Sequence, residues 1–311
     1  MKTERPDLSV NIGTLKIKNP VIAASGTFGY GDEFSSFTDP ASLGAVVVKG
    51  LSLRPKAGNP PPRIVETPCG MLNAIGLANI GLDAFLSQKL PKLAALKTVV
   101  IANIYGDTVD GYSDVAKGLA GIEGISAIEI NISCPNVDQG GMAFGSDPLM
   151  AARVTEEVLK NSDKPVIVKL SPNVTDISMI ARSVEQAGAH AVSLVNTLTG
   201  MAIDVATGRP KLANVSGGLS GPAIRPLALY MVYQVVKAVT IPVIGIGGIM
   251  GYKDALEFLI AGARAIQVGT AHFINPRVGL DIIEGLRGFL EQRQLNSIQD
   301  IIGTLTTHPR D

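Results

Sequence analysis

Lys49, Asn103, Asn131, Cys134, Lys169, Asn196 and Thr197 fall at or just past the ends of short apolar runs, and Asn73 falls in a long connection. Two of these residues are cations and four are carboxamides. A carboxamide both donates and accepts, so it can match the alternating N–H and C=O edge of an amide or pyrimidine ring. A lone asparagine in such a place ordinarily serves a turn. Four brought to one mouth point to ligand recognition.

Lys169 lies in the run Val166–Ser171 (VIVKLS), where alternation puts it on the face of Ile167 and Ser171. A buried lysine is rare without an anion or a task. One reading pairs it with Glu129, which shares the parity of Asn131. The other sets it as a cation over an electron-rich ring that gains negative charge on reduction. Lys49 invites the same two readings.

Cys134 sits in Asn131–Val137 (NISCPNV). An inert buried thiol is one reading. A nucleophilic cysteine usually needs a histidine partner. The histidines are His190, His272 and His308. His190 precedes an apolar run, His308 is in the tail, and the flank of His272 reads as a turn. With no pairing suggested, proton transfer is the better chemical role for Cys134. Cys69 follows Pro68 in a long loop and reads as structural.

Glycines cluster late. Ser216–Gly221 (SGGLSG) precedes a helical pattern, Gly245–Gly248 (GIGG) ends one apolar run, and Gly269-Thr270 ends the next. Such segments are either tight turns or a cradle of backbone N–H groups for a phosphate. No GxxxxGK motif is present, which argues against a P-loop nucleotide triphosphatase.

The apolar runs that must position these residues are Val21–Gly26, Ala45–Gly50, Val99–Ile104, Ala127–Ser133, Val166–Ser171, Ala191–Thr197, Pro242–Gly248 and Ala265–Ala271. Short runs rich in Val and Ile read as parallel strands buried on both faces. Pro148–Ser162, Val174–Ala187, Pro226–Ala238 and Lys253–Ala261 carry helical spacing, with Gly188 and Gly262 at C-terminal caps. Eight β-then-α units predict a (β/α)8 TIM barrel; the rival, a doubly wound open sheet, lacks a GxGxxG after the first strand. Leu8–Lys18 predicts a hairpin that closes the barrel bottom. Two long βα loops, Leu51–Leu82 after the second strand and Leu198–Gly221 after the sixth, belong at the C-terminal face, where barrel active sites lie. With no interdomain linker in view, residues 1–311 read as one domain.

Lys+Arg and Asp+Glu number 27 each, so the chain is formally neutral and a strongly basic nucleic-acid binder is excluded as a first reading. Two cysteines cannot supply four thiolates to zinc or to an iron–sulfur cluster, and no metal site is expected. The N-terminus has no apolar core for a signal peptide, and no apolar run reaches about 18 residues, the length that spans a membrane. These features predict a soluble protein of the cytoplasm.

Several motifs together resemble the dihydroorotate dehydrogenase family. They are SGTFGYG (Ser25–Gly31), GNPPPR (Gly58–Arg63), GMLNAIGLAN (Gly70–Asn79), EINISCPN (Glu129–Asn136) and KLSPNVTD (Lys169–Asp176). Asn196-Thr197, GGLSGPAI (Gly217–Ile224), GIGGI (Gly245–Ile249) and QVGTA (Gln267–Ala271) extend the likeness from about Leu8 to Phe273. The resemblance implies an enzyme that uses FMN, one per chain, to oxidise dihydroorotate to orotate in pyrimidine biosynthesis. Cysteine at the base position marks class 1, whereas class 2 carries serine and a membrane-associated N-terminal extension. The stretch Asp138–Gly145 resembles class 1B rather than the fumarate-reducing class 1A. Thr27 departs from some class 1B members, which have cysteine there.

Carried over by position, the resemblance implies FMN contacts from Ser25, Lys49, Gly50, Asn103, Asn131, Lys169, Val195, Gly221, Gly247, Gly248, Gly269 and Thr270. It implies substrate contacts from Lys49, Asn73, Ala74, Ile75, Gly76, Leu77, Asn131, Asn196 and Thr197, with Cys134 as the catalytic base. It further implies a separate electron-transfer subunit carrying FAD and a 2Fe–2S cluster, which passes electrons to NAD⁺ in a heterotetramer of two catalytic and two electron-transfer subunits. The competing readings are an FMN-dependent reductase of another pyrimidine and a non-catalytic FMN-binding electron-transfer or assembly subunit.

Overall fold

The computed structural model describes residues 5–31, 33–133, 135–136 and 142–307. Each of the eight apolar runs contains a strand: β1 Val21–Ala23, β2 Ala45–Val47, β3 Val99–Ile104, β4 Ala127–Asn131, β5 Val166–Lys169, β6 Ala191–Leu194, β7 Val243–Ile246 and β8 Ala265–Val268. Neighbours pair in parallel, and β8 pairs with β1, Val268 beside Ala23, so the sheet closes into a barrel. Apart from Val99 at the start of β3 and Asn131 at the end of β4, every residue of these strands is buried, because one face meets the barrel interior and the other the surrounding helices. The strands end two or three residues before most of the apolar runs do. Those last residues, Lys49-Gly50 and Asn196-Thr197 among them, are the loops at the barrel mouth.

The helices follow the predicted spacing. Pro148–Lys160 starts where the Asp147 carboxylate accepts from the Met150 N–H at 2.9 Å, and Ile177–Gln186 starts where Asp176 accepts from Ser178 N–H at 2.8 Å. Gly188 and Gly262 follow the helices Ile177–Gln186 and Tyr252–Ile260 in the left-handed region, as a C-terminal cap requires. The first β-then-α unit departs from expectation. The crossover from β1 to β2 carries a 3₁₀ turn, Pro40–Ser42, and no α-helix among its described residues. Gly26, Gly29 and Gly31 all take positive φ there, which breaks any helical run.

The N-terminal hairpin is present, with Val10–Ile12 antiparallel to Leu15–Ile17. Its tip approaches His190, just before β6, so it caps the N-terminal end of the barrel and buries Val10, Ile12 and Ile17 there. At the opposite end the two long loops form one structure. Their segments make a four-stranded antiparallel sheet in the order Leu198–Met201, Ser216–Ser220, Gly70–Asn73, Ile64–Thr67. Leu72, Ala74 and Leu212 form its small buried cluster. Gly218 pairs with Asn73, and its α-carbon packs so tightly on Thr197 that a β-carbon there has no room.

Candidate active site

Strand register assembles the polar interior. Asn103 on β3 lies beside Glu129 on β4, and Lys169 on β5 lies beside both Asn131 on β4 and Ser193 on β6. Glu129 is fully buried, yet both of its carboxylate oxygens are occupied. Oε1 accepts from Asn103 Nδ2 at 2.8 Å, and Oε2 accepts from Ser193 Oγ at 2.8 Å and from Gln267 Nε2 at 2.6 Å. Lys169 Nζ stands 4.0 Å from Oε1. Lys169 thus lies near Glu129, as the first reading has it, and also borders the cavity above. A buried carboxylate is tolerable only when charge and donors surround it in this way.

A cavity of about 740 Å³ opens at the C-terminal ends of the strands, within the size range of sites for cofactors and drug-sized ligands. Ser25 comes from the end of β1, Lys49 and Gly50 from β2, Asn103 from β3, Asn131 from β4 and Lys169 from β5. Val195, Asn196 and Thr197 follow β6, Gly247 and Gly248 follow β7, and Gly269 and Thr270 follow β8. The loop Asn73–Leu77 and Gly221 complete the wall. Every residue for which the sequence implied an FMN or substrate contact thus borders one cavity; Cys134 lies outside the described residues. The stretch 137–141 lies outside them too. Ser133, the residue before Cys134, does line the cavity.

Two of the carboxamides, Asn196 and Asn131, are joined to each other. Asn196 Nδ2 donates to Asn131 Oδ1 at 3.1 Å and to Ser133 Oγ at 3.0 Å, while its own Oδ1 accepts from the Thr197 N–H at 2.8 Å. Tyr112 Oη fixes the Asn131 carbonyl at 2.7 Å, and Asn73 Nδ2 donates to the Gly218 carbonyl at 3.2 Å. Lys49 is half-buried, and no carboxylate pairs with it among the described residues. Burial, and then the nearby charge of Arg63, hold its ammonium below the usual lysine range, against a smaller opposing pull from Glu33. An anionic ligand is the complement such a cation lacks.

Two sets of backbone donors point to further anions. The N–H groups of Gly221, Gly247, Gly248, Ile249, Gly269 and Thr270 find no acceptor among the described residues. Thr270 Oγ1 and Ser220 Oγ, 2.8 Å apart, stand among them. Unpaired N–H groups on residues that line one half-buried pocket are candidates for an anion cradle. The N–H groups of Ile75, Gly76 and Leu77 are likewise without acceptors among the described residues. The donor set therefore fits a ligand with a phosphate at one end and an amide-edged ring at the other, beside a smaller anion.

Gln267, Ser220, Tyr105 and Phe273 were not singled out from the sequence as site residues. Gln267 on β8 had a signal, since it shares the parity of Gly269, just past the strand, and is a polar residue in an apolar run. Its Nε2 faces the acceptor-only carboxylate of Glu129, which leaves Oε1 as a buried acceptor without a partner. Cys69 sits exposed at the turn between Ile64–Thr67 and Gly70–Asn73. Among the described residues no helix is long and apolar enough to cross a membrane.

Residues 7–290 match the family model described as dihydroorotate dehydrogenase. The chain is 58% identical over 302 residues to a protein of Geobacter sp. (strain M21), covering 97% of this chain and 99% of that one. It is 58% identical over 301 residues to a protein of Trichlorobacter lovleyi, covering 97% and 99%. It is 53% identical over 299 residues to one of Thermoanaerobacter sp. (strain X514), covering 96% and 99%. All three relatives are named dihydroorotate dehydrogenase B (NAD(+)), catalytic subunit.

Proposed function

The chain belongs to the dihydroorotate dehydrogenase family, and from that premise we propose that it is the catalytic subunit of an NAD-linked, class 1B enzyme that oxidises dihydroorotate to orotate in pyrimidine biosynthesis. The observation that carries this reading is the convergence of Lys49, Lys169, four carboxamides and two sets of unpaired backbone N–H groups on one cavity.

The residues present fit FMN. The N–H groups of Gly247, Gly248, Gly269 and Thr270 suit its phosphate. Lys169, Asn103 and Asn131 suit its pyrimidine edge, with Ser25, Lys49, Gly50, Val195 and Gly221 completing the surround. Held there, FMN would supply a two-electron acceptor for the oxidation. Lys169 would supply positive charge to stabilise the negative charge that FMN gains on reduction. Lys49 and the N–H groups of Ile75, Gly76 and Leu77 bind the substrate carboxylate. Asn73, Asn131, Asn196 and Thr197 orient the substrate ring through its amide groups. Cys134, as the thiolate, takes the proton from C5.

The electrons leave through a partner. The relatives are named as catalytic subunits, and two cysteines cannot hold an iron–sulfur cluster by thiolates alone. The partner in this reading carries FAD and a 2Fe–2S cluster, two copies of each subunit form a heterotetramer, and the assembly works in the cytoplasm. Residues 1–311 act as one FMN-binding barrel domain. The test is anaerobic assay of the isolated chain with dihydroorotate. Turnover with a dye acceptor but not with NAD⁺, and NADH formation once the partner is co-expressed, is the expected result. Robust NADH formation by the isolated chain overturns the partner, and efficient fumarate reduction moves the chain to class 1A.

A further inference from the structure

Leu77 takes a φ of +59°, in the left-handed region that a branched apolar side chain rarely enters. It lies in the cavity wall, and its own N–H and those of Ile75 and Gly76 are the donors without acceptors described above. A backbone conformation of this kind persists where its surroundings over-determine it. The surroundings of Leu77 are specific. Its carbonyl accepts from Tyr105 Oη at 2.9 Å and from Asn79 Nδ2 at 3.0 Å. Asn79 Nδ2 also reaches Tyr105 Oη at 2.7 Å and Ser52 Oγ at 2.9 Å, and Ser52 Oγ meets Tyr105 Oη at 3.0 Å. Tyr105, Asn79 and Ser52 are all buried. Tyr105 does not line the cavity; its hydroxyl reaches the wall at the Leu77 carbonyl, while its ring lies against Gly50 and under Lys56 Nζ, 5.2 Å from the ring centre.

The anchor for this network is the barrel itself. Tyr105 directly follows β3, and its N–H bonds to the Leu51 carbonyl beyond β2 at 3.0 Å. The hydroxyl is thus a rigid point, tied to two strands, that reaches a loop with no strand of its own between Ala74 and Leu77. On the far side of the loop, Asn59 Nδ2 donates to the Ala74 carbonyl at 2.9 Å, and the Asn59 N–H donates to the Ile75 carbonyl at 3.0 Å. With the carbonyls of 74, 75 and 77 all committed to the protein, the N–H groups of 75–77 remain for a ligand.

We propose that Tyr105 is a positioning residue for substrate binding: its hydroxyl holds Leu77 in the left-handed conformation and so presets the backbone donors that take the substrate anion. The proposal rests on the functional reading above, in which this loop meets dihydroorotate. A preset loop needs no ordering on binding, so the effect belongs in KM rather than in kcat.

The test is steady-state oxidation of dihydroorotate by FMN-loaded protein with a dye acceptor. Tyr105→Phe keeps the ring and removes the hydroxyl with its contacts to Leu77, Asn79 and Ser52, of which only the bond to the Leu77 carbonyl holds the loop directly, so KM rises roughly three- to tenfold while kcat stays within about twofold. FMN content per chain stays at the wild-type value. Glycine takes positive φ without strain, so in a Leu77→Gly background the further loss of the Tyr105 hydroxyl changes KM by less than about twofold. A ring with a purely structural role gives the same change in both backgrounds. Asn79→Ala removes the second tether and repeats the KM rise, which keeps the test open if Tyr105→Phe fails to load FMN. Unchanged KM in the loaded variants, or equal KM rises in both backgrounds, overturns the proposal. A wild-type protein that does not oxidise dihydroorotate overturns the functional reading instead.

Discussion

Removing the Glu129 carboxylate tests whether the polar floor of the cavity is built on one buried anion. Glu129→Ala leaves Asn103 Nδ2, Ser193 Oγ and Gln267 Nε2 without their acceptor, and Lys169 without the charge 4.0 Å away. Hydrogen bonds to a charged group contribute about 1.5–3 kcal/mol each, so three of them set a ceiling of roughly 5–9 kcal/mol. Breaking a buried ion pair by deleting one partner costs about 3–5 kcal/mol in practice. Lys169 borders the cavity, so water relieves part of its loss, and the lower end applies, about 3–4 kcal/mol. For a large domain about 2–4 °C of melting temperature accompanies each kcal/mol, which predicts a drop on the order of 6–16 °C. Glu129→Gln keeps the volume but sets an NH₂ against donors, so it falls between wild type and alanine. Thermal unfolding of FMN-loaded and FMN-stripped protein reads both. A Glu129→Ala protein within about 1 kcal/mol of wild type in both states would refute the anchoring role of the carboxylate.

Cys134→Ala retains FMN but reduces it with dihydroorotate about 10²-fold more slowly, the scale of a lost general base; Cys134→Ser recovers little at neutral pH, since a hydroxyl ionises far less readily than a thiol. Stopped-flow flavin reduction measures both. Lys49 has its pKa lowered, so it sheds its charge at a lower pH than an ordinary lysine. KM for the anionic substrate therefore rises as pH climbs through that lowered value, and a flat alkaline KM profile contradicts the assignment. His272 is buried with neither ring nitrogen partnered among the described residues, and burial pushes its pKa down to about 4 from 6.5. As pH falls from about 6.5 the unfolded chain takes the proton first, so stability declines by about 3 kcal/mol on reaching pH 4. Urea unfolding should show that slope in the wild type and lose it in His272→Leu.

The barrel was legible because a doubly buried parallel strand is a continuous apolar run, and eight such runs contain the eight strands. Strand-end polarity located the site for the same reason: at the end of an apolar strand, Lys169 or Asn103 has only the cavity or the barrel interior to face. The antiparallel sheet over the mouth was not legible. Asn73 and Gly218 pair across 145 residues, and neither segment carries a pattern that names the other. Glu129 was visible as a partner for Lys169 by parity, but its bonds to Ser193 and Gln267 cross the barrel, and closure of the sheet is what brings them together. Tyr105 and the conformation of Leu77 had no sequence signal, since an aromatic residue after a strand reads as core and φ is not written in an apolar side chain.

In the proposed function, this cavity holds FMN and oxidises dihydroorotate with it. The most direct test is anaerobic titration of the purified, FMN-loaded chain with dihydroorotate, following flavin absorbance and orotate together. The expected result is that one flavin bleaches per chain with one orotate formed for each, and that Cys134→Ala protein binds the same flavin but bleaches far more slowly. A loaded wild-type flavin that stays oxidised, with no orotate formed, would contradict it.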